Sequence, residues 1–144
     1  MSGSESELKI ALRMDQNSLD RQLQRFQQEQ SIDVTDCPQD VRSLLDCLHQ
    51  SLFQPELNVG VLKAKCQIRD NNITSRFRLA TGLTIKQYIE SMRMKAAGML
   101  LRKERSAVLD IAQAIGYYYP QAFYRAFQKH FHCTPAEYRE RVEA

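Results

Sequence analysis

Toward the end of the chain, Phe123, Phe127 and Phe131 recur four residues apart, and around them stand Gln121, Tyr124, Arg125 and Gln128. At helical spacing the three rings share one face and pack inward, which turns the amide, phenol and guanidinium groups outward. Those side-chain types suit base edges and phosphates. Upstream, the run Tyr117-Tyr118-Tyr119 divides: Tyr117 packs under a turn, and Tyr118 or Tyr119 reaches a phosphate.

Other chemistries find less support. Asp110 and Glu104 form no paired-carboxylate constellation, and the chain holds no Ser/His/Asp arrangement and no phosphate-binding Gly loop, so no enzyme and no cofactor are expected. In His130-x-His132-Cys133 the candidate ligands of a helix end point in different directions, and no metal is expected there. The cysteines Cys37, Cys47, Cys66 and Cys133 lack CxxC spacing, and Cys66 falls on an apolar helical position as a free, small hydrophobe.

The outward groups need a scaffold. Val108, Ile111, Ala112 and Ile115 recur at helical spacing, Gly116 breaks the pattern, and the phenylalanines resume it. A short helix, a Gly-centred turn and a second helix is the helix-turn-helix plan, whose second helix can lie in a DNA major groove.

Composition agrees with a small helical protein. The 144 residues make one domain, or one domain plus an arm, and 43% hydrophobic content supplies a core. Few Gly, few Pro and little β-branched alternation favour helix. No apolar run is long enough for a membrane span, and the N-terminus lacks the basic and apolar regions of a secretion signal. The expected location is the cytoplasm, in association with the nucleoid. Residues 1–36 carry four Lys/Arg against seven Asp/Glu, leaving sixteen basic and ten acidic side chains on residues 37–144. A basic domain with an acidic arm fits a polyanion partner.

Within residues 1–36, Asn17 or Ser18 caps a short helix with Leu19, Leu23 and Phe26 on one face and glutamines opposite. It either docks on the main domain or serves self-association or a partner. Ile32 to Pro38 reads as a connector. Helices follow over about Gln39–Phe53 and Leu57–Cys66, then Asn71–Thr81 with Ile73, Phe77 and Ala80. Gly82 sits at a helix C′ position. Thr84 and Gln87 form a capping box, with Leu83 and Tyr88 as its staple, for a helix running to about Arg102.

A self-similarity ties these pieces together. Phe77-(x4)-Gly82-Leu83-Thr84-(x2)-Gln87-Tyr88 returns as Phe127-(x4)-His132-Cys133-Thr134-(x2)-Glu137-Tyr138. Leu62, Cys66 and Ile68 pair with Ile111, Ile115 and Tyr117, so the second copy has one extra residue in or near its turn. The expected fold is all-α: two helix-turn-helix units, about 57–81 and 107–131, joined by a linker helix over about 84–102, plus a helical arm. A helix of that length spans about 27 Å, against ~34 Å between successive major-groove faces.

From about Gln39 to Arg141 the chain resembles the DNA-binding domain of the AraC/XylS family of bacterial transcription regulators. The carrying residues are Ile111-Ala112-(x2)-Ile115-Gly116-Tyr117, Phe123-Tyr124-Arg125-Ala126-Phe127 and Thr134-Pro135-(x2)-Tyr138-Arg139, with Arg76-Phe77-Arg78-(x3)-Gly82-Leu83-Thr84-(x3)-Tyr88 in the first copy. The resemblance implies one module on an asymmetric double-stranded site, regulating transcription initiation as an activator or repressor, with RNA polymerase as a further partner. By position it assigns base readout to Asn71, Asn72, Thr74 and Ser75 in the first unit and to Gln121, Tyr124 and Arg125 in the second. It gives Arg69, Arg78 and Lys86 to phosphates. Many members carry a separate effector-binding domain, which thirty-odd residues cannot build; the chain resembles stand-alone members or is part of something larger.

The chain departs from the family pattern at three points. His132 replaces the usual Gly, Gln67 stands where the first turn often has Gly, and Ser75 occupies a position where many members have Arg. Two other functions suit the same fold: a helical protein-interaction module and a nonspecific architectural DNA binder.

Overall fold

The structure, a computed structural model, describes residues 18–30 and 37–143. The expectations for Asn17 and for most of the 32–38 connector lie outside the described residues. No strand occurs among those described. No helix among them is long and apolar enough to cross a membrane.

Helix α1 (residues 18–29) lies on the main body. Leu19, Leu23 and Phe26 are buried, and the Phe26 ring meets Phe53 at 6.1 Å. Gln27 Nε2 donates to His49 O at 2.8 Å, and Ser18 Oγ donates to Glu104 Oε1 at 2.7 Å. The apolar stripe of α1 is therefore occupied by the core.

Helices α2 (Gln39–Ser51), α3 (Val59–Lys65) and α4 (Ile73–Thr81) form the first unit. Val41, Leu44, Leu45 and Leu48 bury one face of α2, and a tight turn from Gln54 N to Ser51 O ends it before Phe53. The side chain of Asn58 accepts from Val61 N and becomes the N-cap of α3, so that helix starts later than Leu57. Cys66 pairs with Cys47 of α2, their Cα atoms 6.4 Å apart. That corrects the free thiol expected at Cys66: α3 packs on α2, and the two sulfurs fall on the facing surfaces.

Helix α5 (Ile85–Lys103) starts at the expected capping box. Gln87 N donates to Thr84 Oγ1 at 3.1 Å, and Thr84 N donates to Gln87 Oε1 at 3.0 Å. Its second half is buried nearly all round, through Met94, Ala96, Ala97, Met99, Leu100 and Leu101. Small residues allow this close approach: a Cβ on Gly98 would lie 3.1 Å from the Phe131 ring. Around α5 pack α6 (Val108–Ala114), α7 (Pro120–Phe131) and α8 (Pro135–Glu143).

Candidate nucleic-acid interface

The repeat seen in the sequence is repeated in hydrogen bonds. In the first turn Gln67 N donates to Ala64 O at 3.2 Å and Ile68 N to Lys63 O at 3.0 Å; in the second Gly116 N donates to Gln113 O at 3.1 Å and Tyr117 N to Ala112 O at 3.0 Å. Gln67 and Gly116 hold left-handed backbone, with φ of 56° and 106°. Gly82 and His132 do the same after α4 and α7, at 80° and 60°, their N–H groups donating to Arg78 O and Gln128 O. The departures at Gln67 and His132 thus fall where a residue other than Gly pays in backbone strain.

Burial repeats as well. Positions 71–80 and 121–130 run through the same sequence of exposed, buried and half-buried residues. Ile73 and Phe77 anchor α4, as Phe123 and Phe127 anchor α7. The rings of Phe127, Phe131 and Tyr138 pack within 5.6 Å of one another. The outward faces are then Asn71, Asn72, Thr74, Ser75 and Arg78 on one unit, and Gln121, Tyr124, Arg125 and Gln128 on the other, all exposed. Arg69, Lys86, Tyr118 and Tyr119 are exposed at the flanks.

The two helices start differently. Tyr119 is extended and Pro120 takes N1, which fixes the first turn of α7. In the first unit Asp70 Oδ1 accepts from Asn72 N at 2.9 Å, Asn72 adopts a turn conformation, and α4 begins only at Ile73. Asn71 and Asn72 therefore sit in the turn rather than on the helix expected from Asn71 onward, and α4 has nine residues against twelve in α7. Lys63 Nζ reaches Asn71 Oδ1 at 3.5 Å, and Thr74 Oγ1 donates to Asn71 O at 3.2 Å. The side chains of Asn72 and Ser75 are exposed.

Two arginines given no DNA contact above hold the elements behind the outward faces. Arg76 bonds Asp40 Oδ2 through Nε at 2.8 Å and Asp70 Oδ2 through Nη2 at 2.7 Å, tying α4 to α2. The Arg76 bond holds the Asp70 carboxyl below its ordinary value. Arg93, in the middle of α5, is buried, and burial lowers its pKa. A charged residue inside the Ile89–Met92–Ala96 stripe was the signal for it. His130 and His132 are exposed whereas Cys133 is buried, so the three do not converge.

A helix-turn-helix domain family matches residues 64–141. The chain is 32% identical over 102 residues to the regulatory protein SoxS of Salmonella typhimurium, which covers 71% of this chain and 94% of that protein. It is 33% identical over 117 residues to the transcriptional activator RhaR of Mannheimia succiniciproducens, covering 81% of this chain and 42% of RhaR. Among solved structures, the DNA-binding domain of the global transcriptional factor AdpA, in complex with a target DNA, superposes with a TM-score of 0.62 at 25% identity, over 68% of this chain and 90% of that one. The chain belongs to the AraC/XylS family of helix-turn-helix, DNA-binding transcription regulators.

Proposed function

We propose that this chain binds a specific double-stranded DNA site, with α4 and α7 in adjacent major-groove segments, and regulates transcription initiation from it. The observation that carries this reading is the matched exposure of positions 71–80 and 121–130 on two helices that both pack on α5. The 19 residues of α5 span about 27 Å at 1.5 Å per residue, commensurate with two faces of one duplex.

In this reading Gln121, Tyr124 and Arg125 read bases from α7, and Asn71, Asn72, Thr74 and Ser75 read them from the turn and first turn of α4. Arg69, Arg78, Lys86, Tyr118 and Tyr119 position the protein on phosphates. The site of action is the nucleoid, in the cytoplasm, and RNA polymerase is a further partner. Any partner of α1 meets its polar face, because Leu19, Leu23 and Phe26 are buried.

Selection of bound duplexes from a random pool, read by sequencing, tests the proposal. It expects one enriched asymmetric motif with two parts about a helical turn apart. A second reading, a protein-interaction module on the same fold, draws on Leu79 and Leu109, which are 87% and 51% exposed. A pool that enriches nothing would favour that module or a nonspecific binder.

A further inference from the structure

We infer that Arg93 is the positioning residue that fixes one recognition unit against the other, and so sets the half-site spacing the protein accepts. The inference rests on the DNA-binding reading above. Arg93 Nε donates to Leu52 O at 2.9 Å and Nη2 to Gln54 O at 2.8 Å, while Nη1 reaches Gly116 O at 3.5 Å. Leu52 caps the C-terminal end of α2 in the first unit, and Gly116 follows the C-terminal end of α6 in the second. One guanidinium, at the midpoint of the rod, thus bonds two carbonyls of the first unit and reaches the second through the longer contact to Gly116 O and its seat against Gly116 and Tyr117.

The chemistry requires an arginine. No carboxylate bonds Arg93 among the described residues. A buried cation is costly without compensation, and carbonyls at helix C-terminal ends, where the dipole is negative, supply it. The planar fork sends N–H groups in several fixed directions, which a lysine ammonium cannot reproduce. The Tyr117 ring lies 5.5 Å from the guanidinium carbon.

Gly116 supports the same assignment. A Cβ there would fall 2.8 Å from Arg93 Nη2 and 2.9 Å from its Cζ. The matching residue of the first turn, Gln67, shares the left-handed backbone yet carries a side chain into solvent. At Gly116 the wider φ of 106° and the Phe53 carbonyl, 3.1 Å from such a Cβ, exclude a side chain together with Arg93, which seats against this turn only.

Wild type, Arg93→Met and Arg93→Lys would be measured on three duplexes: the selected site, that site with about five base pairs inserted between its halves, and one half alone. Wild type is expected to lose about 100-fold on insertion, because a fixed geometry makes binding of the second half intramolecular. Both variants should lose about tenfold or more on the intact site, lose little further on insertion, and bind the lone half within about threefold of wild type. Unchanged binding to the intact site overturns the inference, as does equal loss on all three duplexes. If circular dichroism shows Arg93→Met unfolded, Arg93→Lys decides; if neither folds, Arg93 is a folding residue and the assignment fails. Wild type that ignores the insertion would instead sink the bipartite DNA reading itself.

Discussion

A methyl group added at Gly82 meets nothing within 4 Å among the described residues, whereas at Gly116 it meets Arg93 and, at 3.1 Å, Phe53 O. Both residues hold positive φ. Gly82→Ala should therefore cost only the backbone term, about 1 kcal/mol, while Gly116→Ala adds a clash and should cost about 3 kcal/mol or more. Urea unfolding of the two variants measures the difference. On the proposed recognition surface, Arg125→Ala should cost about 1–3 kcal/mol at the selected site and much less on random duplexes; equal losses on both would move Arg125 to the phosphates. His49 gives a pH dependence. Its Nε2 meets the Tyr88 hydroxyl at 2.8 Å and its buried Nδ1 has no hydrogen-bond partner among the described residues, so the doubly protonated ring is disfavoured. Burial lowers the His49 pKa, with Asp46 opposing, and pushes the Tyr88 phenol up to about 12. A folded-state value below the unfolded one means the unfolded chain takes the proton first. Stability should fall as pH drops below about 6.5, and His49→Gln should flatten that slope in unfolding experiments across pH.

Among the elements, α5 and α8 open on the same device. Thr84 Oγ1 accepts from Gln87 N and Thr134 Oγ1 from Glu137 N, both at 3.1 Å. Thr84→Ala and Thr134→Ala should each cost about 1 kcal/mol in thermal or urea unfolding. These caps were legible in the sequence because capping is local: the donor, the acceptor and the spacing all lie within four residues. Helix periodicity placed Ile73, Phe77, Phe123 and Phe127 in the core for the same reason, and they are fully buried. The start of α4 was not legible. Asn71 and Asn72 are fit N-terminal residues, but the Asp70 carboxylate took the Asn72 N–H and closed a turn first. Nor were the Cys47–Cys66 pairing and the seat of Arg93, which depend on how α2, α3 and α6 meet across long stretches of chain. Of the candidate interface, sequence identified which side chains face outward. How far Asn71 is drawn toward Lys63 required the folded turn.

At the scale of the whole molecule, the acidic arm and the basic body divide the charge, and the exposed cations Arg69, Arg78, Lys86 and Arg125 lie on the body. Association with the selected duplex should weaken about tenfold or more over a few-fold rise in salt, because each neutralised phosphate releases counterions. Fluorescence anisotropy across a salt series reads this, and a flat response would point to a protein partner. The unequal lengths of α4 and α7 carry this further. A protein with a short reader at one end and a long one at the other has a heading on the duplex, as an arrow does. Turning its target sequence around without moving it would swap which end looks downstream, so the orientation of a binding site, and not only its distance from a promoter, becomes part of the regulatory message.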